Sequence, residues 1–429
     1  MPATYSATQN GIAQSPNGVL AQPNLPTPIQ HVIIVFQENR TPDYLFQGIA
    51  GADIATYGYD HNGNKVPLAP ISLTAPYDLG HSHDAWVQDY NGGKMNYFEH
   101  GQAQANRLRA FGYGPPSEVQ PYHDMANQYV LGDRMFQTNQ GPSYPAHLYI
   151  VSGTATDPTI RPYLVRDNPY DQNSNQAKAG GCDSPLSNVV HTINPKNNAD
   201  GPTPWTCFDR PVLSDYLDKK NLSWRYYQQG GGVGLWHAYD SIKHVRYGSD
   251  YANVITSSAQ FLTDIKAGKL AAMTWLNPND PWSDHSRKGG AGSQGPAWVA
   301  AVVNAVGESK YWNNTTILVT WDDWGGWYDH VPPPNPSYYE LGFRVPLLVI
   351  SPYARKSYVS KVQHEFGSLL AYSEETFGIP KGILSTTDVR ADDLKDCFDF
   401  TQQPRKFVHI KAPVFKGAIM GGITNAEDP

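Results

Sequence analysis

The chain has 429 residues, 40% hydrophobic, 12% aromatic and only 17% charged, a composition that can bury a sizeable core and excludes an intrinsically disordered protein. Thirty-two basic against thirty-nine acidic side chains leave a formal charge of −7, so the chain is not built to hold nucleic acid. An anionic ligand must meet a local positive centre, which a bound cation would supply.

In chain order, residues 1–28 read as an extended polar arm and Ile29 to Phe36 as the first central strand, a run of β-branched and aromatic residues. Ser82 to Tyr90 is a short amphipathic piece, Lys94 to Ala110 reads as a helix, Tyr122 to Tyr129 as another, and Val130 to Phe136 as a short strand. The turn Asn139 to Pro145 leads into a helix over Ala146 to Ser152, and residues 154–209 form an insertion with little periodicity. Helix–strand alternation then runs through Pro211–Asn221, Leu222–Tyr227, Ser257–Ala267, Leu270–Leu276, Gly295–Val306, Thr315–Trp321, Val345–Ser351 and Phe366–Phe377. No repeat or long polar linker marks a second domain, so residues 29–429 are expected to form one α/β domain with long decorated loops.

Two of these strands end in polar pairs. Glu38-Asn39 follows His31–Gln37, and Asp322-Asp323 follows Thr315–Trp321. Ligands collect outside the carboxyl ends of strands in α/β sheets. Carboxylates mixed with an amide suit a hard divalent cation, with Ca, Mg or Mn the expected choices; helix capping is the alternative for each residue taken singly. Ser143 stands in Gly141-Pro142-Ser143-Tyr144-Pro145, just before a helix, where oriented N–H groups favour an alkoxide or a phosphate oxygen; simple capping also explains such serines. His81, His285 and His330 lie in Gly-, Asp- and Ser-rich loops suited to proton donation or oxyanion binding, and as single residues they equally read as hydrogen-bonded structural histidines. No HExxH zinc pattern, phosphate-binding P-loop or Gly-x-Ser-x-Gly elbow is present.

Cys182 and Cys207 flank a polar loop and read either as a disulfide closing it or as two small buried side chains, leaving Cys397 single. Residues 1–30 have no apolar signal core. They fit a mature exported chain or a cytosolic protein with a loose arm, and the low Lys content with abundant Tyr, Trp and Asn tilts the expectation to a periplasmic or secreted protein. No apolar run approaches the ~20 residues that span a bilayer, so stable membrane insertion is not expected.

The blocks HVIIVFQENRTPDYLF, DLGHSHDAW, NGGKMNYF, GPSYPAHLYIVSG, SDHS, TWDDWGGWYDHVPPP and FRVPLLVISPYAR occur in an order that resembles the bacterial phosphoesterase family of phospholipases C and an acid phosphatase, within the alkaline phosphatase superfamily. The resemblance covers roughly residues 29–380 and rests chiefly on the FQENR and WDDWGGWYDHVPPP blocks. It implies a three-layer α/β/α sandwich with a mostly parallel sheet, a single metal ion held by Glu38, Asn39, Asp322, Asp323 and Ser143, and Ser143 as the nucleophile of a phosphoserine mechanism. It also implies that His81 and His285 contact the phosphoryl group, with His330 either catalytic or structural. Ser143 stands where many relatives have Thr, Asp323 where Glu is usual, and Glu365-Phe366-Gly367-Ser368 where Asp-His-Thr-Ser is frequent, with His364 out of register.

The expected substrates are small phosphate esters or phospholipid head groups. A phosphatase-like activity is favoured over a phospholipase C, and a non-catalytic, calcium-stabilised binding protein stands as the reading from another class.

Overall fold

A computed structural model describes residues 27–99, 108–286, 294–334 and 336–413. Eight strands build the central sheet: β1 (His31–Gln37), β2 (Val130–Gly132), β3 (Trp224–Tyr227), β4 (Val254–Ile255), β5 (Met273–Leu276), β6 (Thr315–Trp321), β7 (Leu347–Ile350) and β8 (Tyr358–Ser360). Their order across the sheet is β4-β3-β5-β1-β6-β7-β2-β8. All neighbours run parallel except that β7 is antiparallel to both β6 and β2. The inner strands are apolar on both faces because both faces are covered, the pattern expected of buried parallel strands.

Helices cover the sheet on its two sides, and a further helix, α1 (His83–Tyr90), precedes them in the chain. Phe36 of β1 packs its ring on His147 and Phe366, at 4.7 and 5.1 Å between centroids, which places α3 (Ser143–Ser152) and α5 (Phe366–Thr376) on one face. Trp321, aligned with the next residue of β1, Gln37, packs on Tyr122 at 5.1 Å and places α2 (Pro116–Gln128) on the other, where it meets α4 (Gly295–Gly307). Successive strand residues point to opposite faces, so one register gives the three-layer α/β/α arrangement.

The expected order of elements is largely present, and the differences have local causes. The first strand begins at His31, two residues late, and Thr315–Trp321 spans the expected residues. The single strand expected over Val130–Phe136 divides: β2 ends at Gly132, and Met135–Phe136 pairs with His364–Glu365 in a separate two-stranded sheet. The helix expected from Tyr122 begins at Pro116, whose fixed φ suits a first turn. The helix expected over Lys94–Ala110 falls partly outside the described residues, and its described ends, 94–99 and 108–110, are not helical. Glycines at 92 and 93, both with positive φ, set a turn there instead. The insertion carries five short strands in small sheets and is closed by a Cys182–Cys207 disulfide, while Cys397 is free and buried. Of the expected N-terminal arm, only Thr27 and Pro28 lie within the described residues.

Candidate active site

β1 and β6 are in register along their whole length, His31 opposite Thr315 and Gln37 opposite Trp321. Glu38-Asn39 and Asp322-Asp323 therefore leave the sheet side by side, and all four are buried. Asn39 turns at φ 54°, a left-handed conformation that Asn tolerates better than most residues. The buried Arg40 guanidinium holds the Asn39 carbonyl at 2.7 Å. The Asn39 N–H and the Asp323 N–H both donate to Asp322 Oδ1, at 2.9 and 2.8 Å, locking the two strand ends together.

Glycine is required immediately beyond. Gly325 and Gly326 both have positive φ. A Cβ on Gly325 would lie 2.6 Å from Asn39 Cβ, and one on Gly326 would lie 2.4 Å from Leu79 Cβ. The Gly-Gly turn thus lets the segment carrying His81 close against the strand ends.

Ser143 is the first residue of α3, a helix buried on every side. Its Oγ donates toward Glu38 Oε2 at 3.4 Å and Asp323 Oδ2 at 3.3 Å. Gln137 secures this turn: its Nε2 donates to the Asn139 and Gly141 carbonyls at 2.7 and 3.0 Å, while its Oε1 accepts from Trp324 N at 3.1 Å. The Ser143 turn and the Asp322-Asp323 strand end are so tied through one amide. Gln37 does the same for the loop carrying His285, donating to the Trp282 carbonyl at 2.9 Å and accepting from the Asp284 and Glu38 N–H groups.

His81 and His285 flank Asn39. Each sets Nδ1 against a backbone carbonyl, Leu79 O at 2.7 Å and Ser286 O at 2.6 Å, so Nδ1–H donates there and Nε2 faces the Asn39 amide at 3.2 Å. That amide has two orientations. With its nitrogen on the imidazoles, its oxygen sits 3.1 Å from both Glu38 Oε2 and Asp322 Oδ1, an all-oxygen cluster that repels itself unless a cation lies within it. Turned over, it donates to both carboxylates and accepts from protonated imidazoles. Asp322 Oδ2 is buried and has no hydrogen-bond donor among the described residues. Three buried carboxylates, an amide and a hydroxyl converging in this way fit a hard divalent cation.

His147 was not legible as a site residue in the sequence, although it stands one helical turn after Ser143 and therefore on the same helix face. Its Nε2 lies 3.1 Å from Glu38 Oε1 and 4.0 Å from Asp322 Oδ2, and Glu38, His147 and Asp322 together form a buried group able to hold a metal. Asp284 was also unforeseen. Burial pushes its carboxyl up to about 6, against the lowering effects of the Arg40 charge and of hydrogen bonds from Tyr122 and Trp321.

The structure places His330 elsewhere. Its Nδ1 bonds Asp43 at 2.8 Å and its Nε2 bonds Asp53 at 3.1 Å, beside the buried Arg344–Asp329 pair, so it sits in an ion-pair cluster of its own. His364 bonds Asp392 and Ser360 in another buried cluster. The remaining expected site residues, Glu38, Asn39, His81, Ser143, His285, Asp322 and Asp323, are linked through the contacts above.

The sequence matches the model of the phosphoesterase family over residues 29–380. It is 24% identical to non-specific phospholipase C1 of Arabidopsis thaliana, with 91% of this chain and 74% of that protein covered. It is likewise 24% identical to phospholipase C A of Mycobacterium tuberculosis, at 88% and 78% coverage. Haemolytic phospholipase C of Pseudomonas aeruginosa is 23% identical over 87% of this chain, which spans just over half, 56%, of that protein's length. Among solved structures, a protein in the alkaline phosphatase superfamily from Vibrio parahaemolyticus aligns at a TM-score of 0.42 and 11% identity, covering 87% of this chain and 74% of the other. With the family model spanning most of the sequence, the chain belongs to the phosphoesterase family and is a phosphoric ester hydrolase.

Proposed function

We propose that this protein is a metal-dependent phosphoesterase of phosphatase type, in which Ser143 attacks phosphorus and is transiently phosphorylated. The observation that carries the reading is the Ser143 hydroxyl at 3.3–3.4 Å from carboxylates of two separate strand ends, at the positive end of a buried helix. A hard divalent cation held by Glu38, Asn39, Asp322, Asp323 and Ser143 would supply charge neutralisation for the serine oxygen and one phosphoryl oxygen.

Ser143 Oγ forms the bond to phosphorus while the ester oxygen departs with the bond electrons, and water then cleaves the phosphoserine. Asp323 and Glu38 hold the hydroxyl in place and are positioned to take its proton. His81 and His285, fixed by their Nδ1 contacts, present Nε2 as donors, when protonated, to equatorial oxygens or to the leaving oxygen. His330 is structural in this reading.

The names of the relatives favour a second reading, a phospholipase C cleaving phosphatidylcholine-like diesters. Small phosphate esters or phospholipid head groups are thus the substrate class. The disulfide supports an extracytoplasmic setting, periplasmic or secreted. None of the described helices is long and apolar enough to cross a membrane. Residues 29–429 act in this reading as one catalytic unit.

The test is turnover of p-nitrophenyl phosphate against p-nitrophenyl phosphorylcholine by metal-analysed protein and by Ser143→Ala. Phosphate monoester turnover that requires metal and falls at least about a thousand-fold in Ser143→Ala is expected. Preference for the phosphorylcholine ester transfers the assignment to the phospholipase reading. Metal-dependent stability with no turnover on either ester leaves only a cation-stabilised binding protein.

A further inference from the structure

A groove of about 320 Å³ lies against the proposed centre, lined in part by Ser82 and Pro142, the sequence neighbours of His81 and Ser143. Its outer wall is the insertion, chiefly the segment from Arg166 to Ala177 with His191. Two hydrogen bonds fasten that wall to the catalytic elements: Asn168 Oδ1 accepts from the N–H of Tyr144, next to Ser143, at 3.0 Å, and Asp167 Oδ1 accepts from the N–H of His83 at 2.8 Å.

We propose that this groove is the subsite for the organic moiety of the ester and that it takes a cyclic, hydroxyl-rich alcohol such as a sugar. The inference rests on the phosphoesterase reading of Ser143 given above. The lining offers Asp84 from the facing helix and Arg166, Asp167 and Asn175 from the insertion, a mixture of donors and acceptors that matches vicinal hydroxyls. Arg166 is held in the wall by Asp167 at 2.8 Å and Asp200 at 3.1 Å, so its charge is compensated and the exposed Asp84 carboxylate adds to a net negative lining. That balance disfavours an organic part bearing a second phosphate.

Tyr170 and His191 stack at 4.4 Å with an interplanar angle of 17°, giving a flat edge on which the C–H face of a pyranose can rest. Among the described lining residues there is no Leu, Ile, Val, Met or Phe, and a diacylglycerol arm needs such a surface. The groove size suits one ring and not a pair of acyl chains.

The experiment is the ratio of kcat/KM for glucose 6-phosphate to that for p-nitrophenyl phosphate, which has no aliphatic hydroxyl, in the full-length metal-loaded enzyme and in Asp84→Ala and Tyr170→Ala. Asp84 is an exposed residue in the first turn of a helix, so its truncation does not threaten folding even if that of Tyr170 does. A fall in the ratio of three-fold or more in Asp84→Ala, carried by KM, is the expected result. A smaller fall, or no wild-type turnover of glucose 6-phosphate, overturns the subsite. Retention of full turnover on both esters by Ser143→Ala would instead overturn the serine reading on which the subsite depends.

Discussion

His147 Nε2 lies 3.1 Å from Glu38 Oε1, one helical turn beyond Ser143, so a single buried helix carries both the hydroxyl and the imidazole that touch the first acidic strand end. The imidazole reaches Glu38 from the side of the Phe36 ring, on which it packs at 4.7 Å. It therefore fixes the carboxylate's rotamer.

His147→Gln is expected to weaken metal binding about ten- to a hundred-fold, the usual cost of losing a partner that orients a metal-ligating carboxylate. Titration of metal-stripped protein, read by calorimetry or by recovery of turnover, measures it. An unchanged affinity would mean that Glu38 is held without His147.

Gly325→Ala is expected to destabilise the protein by at least about 2 kcal/mol, since a left-handed backbone and a clash with Asn39 are imposed together. The clash is with backbone as well as side chain, the added Cβ lying 2.8 Å from the Asn39 carbonyl oxygen, so relaxation must move the Asn39 turn. Turnover should fall with stability, measured by urea unfolding and steady-state kinetics on the same preparation.

Stability should decline as pH rises through two separate windows. Burial lowers the His330 imidazole, but its hydrogen bond and charge attraction to Asp43 outweigh this and raise it to about 9. The folded state then binds more protons than the unfolded chain between pH 6.5 and about 9, so the contribution is complete below 6.5 and lost above 9. Asp284, held up to about 6 by burial, likewise favours its protonated form in the fold, and that contribution disappears between pH 3.8 and about 6. In urea titrations across pH, His330→Asn should remove the upper slope and Asp284→Asn the lower. A loss of kcat in His330→Asn as large as that in Ser143→Ala would return His330 to the catalytic group.

Replacing both Cys182 and Cys207 with Ser should cost about 3.5 kcal/mol, the loop-closure value for a separation of 25 residues. Chemical denaturation of the variant and of the parent, each with and without reductant, tests it: reductant should lower the parent to the variant's level and leave the variant unmoved.

Six of the eight central strands, and the polar pairs that end two of them, were legible from the residues alone, whereas the two-residue Val254–Ile255 and three-residue Tyr358–Ser360 strands are too short to leave a pattern. Runs such as Thr315–Trp321 are long, β-branched and followed at once by Asp322-Asp323, so local propensity and the change in polarity mark both the element and its functional edge. Ser143 was legible because the turn before its helix carries Gly and Pro. Of the helix expected over Lys94–Ala110, the described ends 94–99 and 108–110 are not helical, and the Gly92-Gly93 turn precedes them. That β1 and β6 are neighbours in register, and thus that Glu38 and Asp322, 284 positions apart in the chain, face one site, emerges from the folded sheet alone. The fold likewise assigned Gln37 and Gln137 as clamps, and sent His330 to Asp43 and Arg344 instead of to Ser143. The reason is physical: an amide bridging two backbones, or an imidazole choosing among carboxylates, is settled by long-range packing, which leaves no local pattern of spacing or propensity.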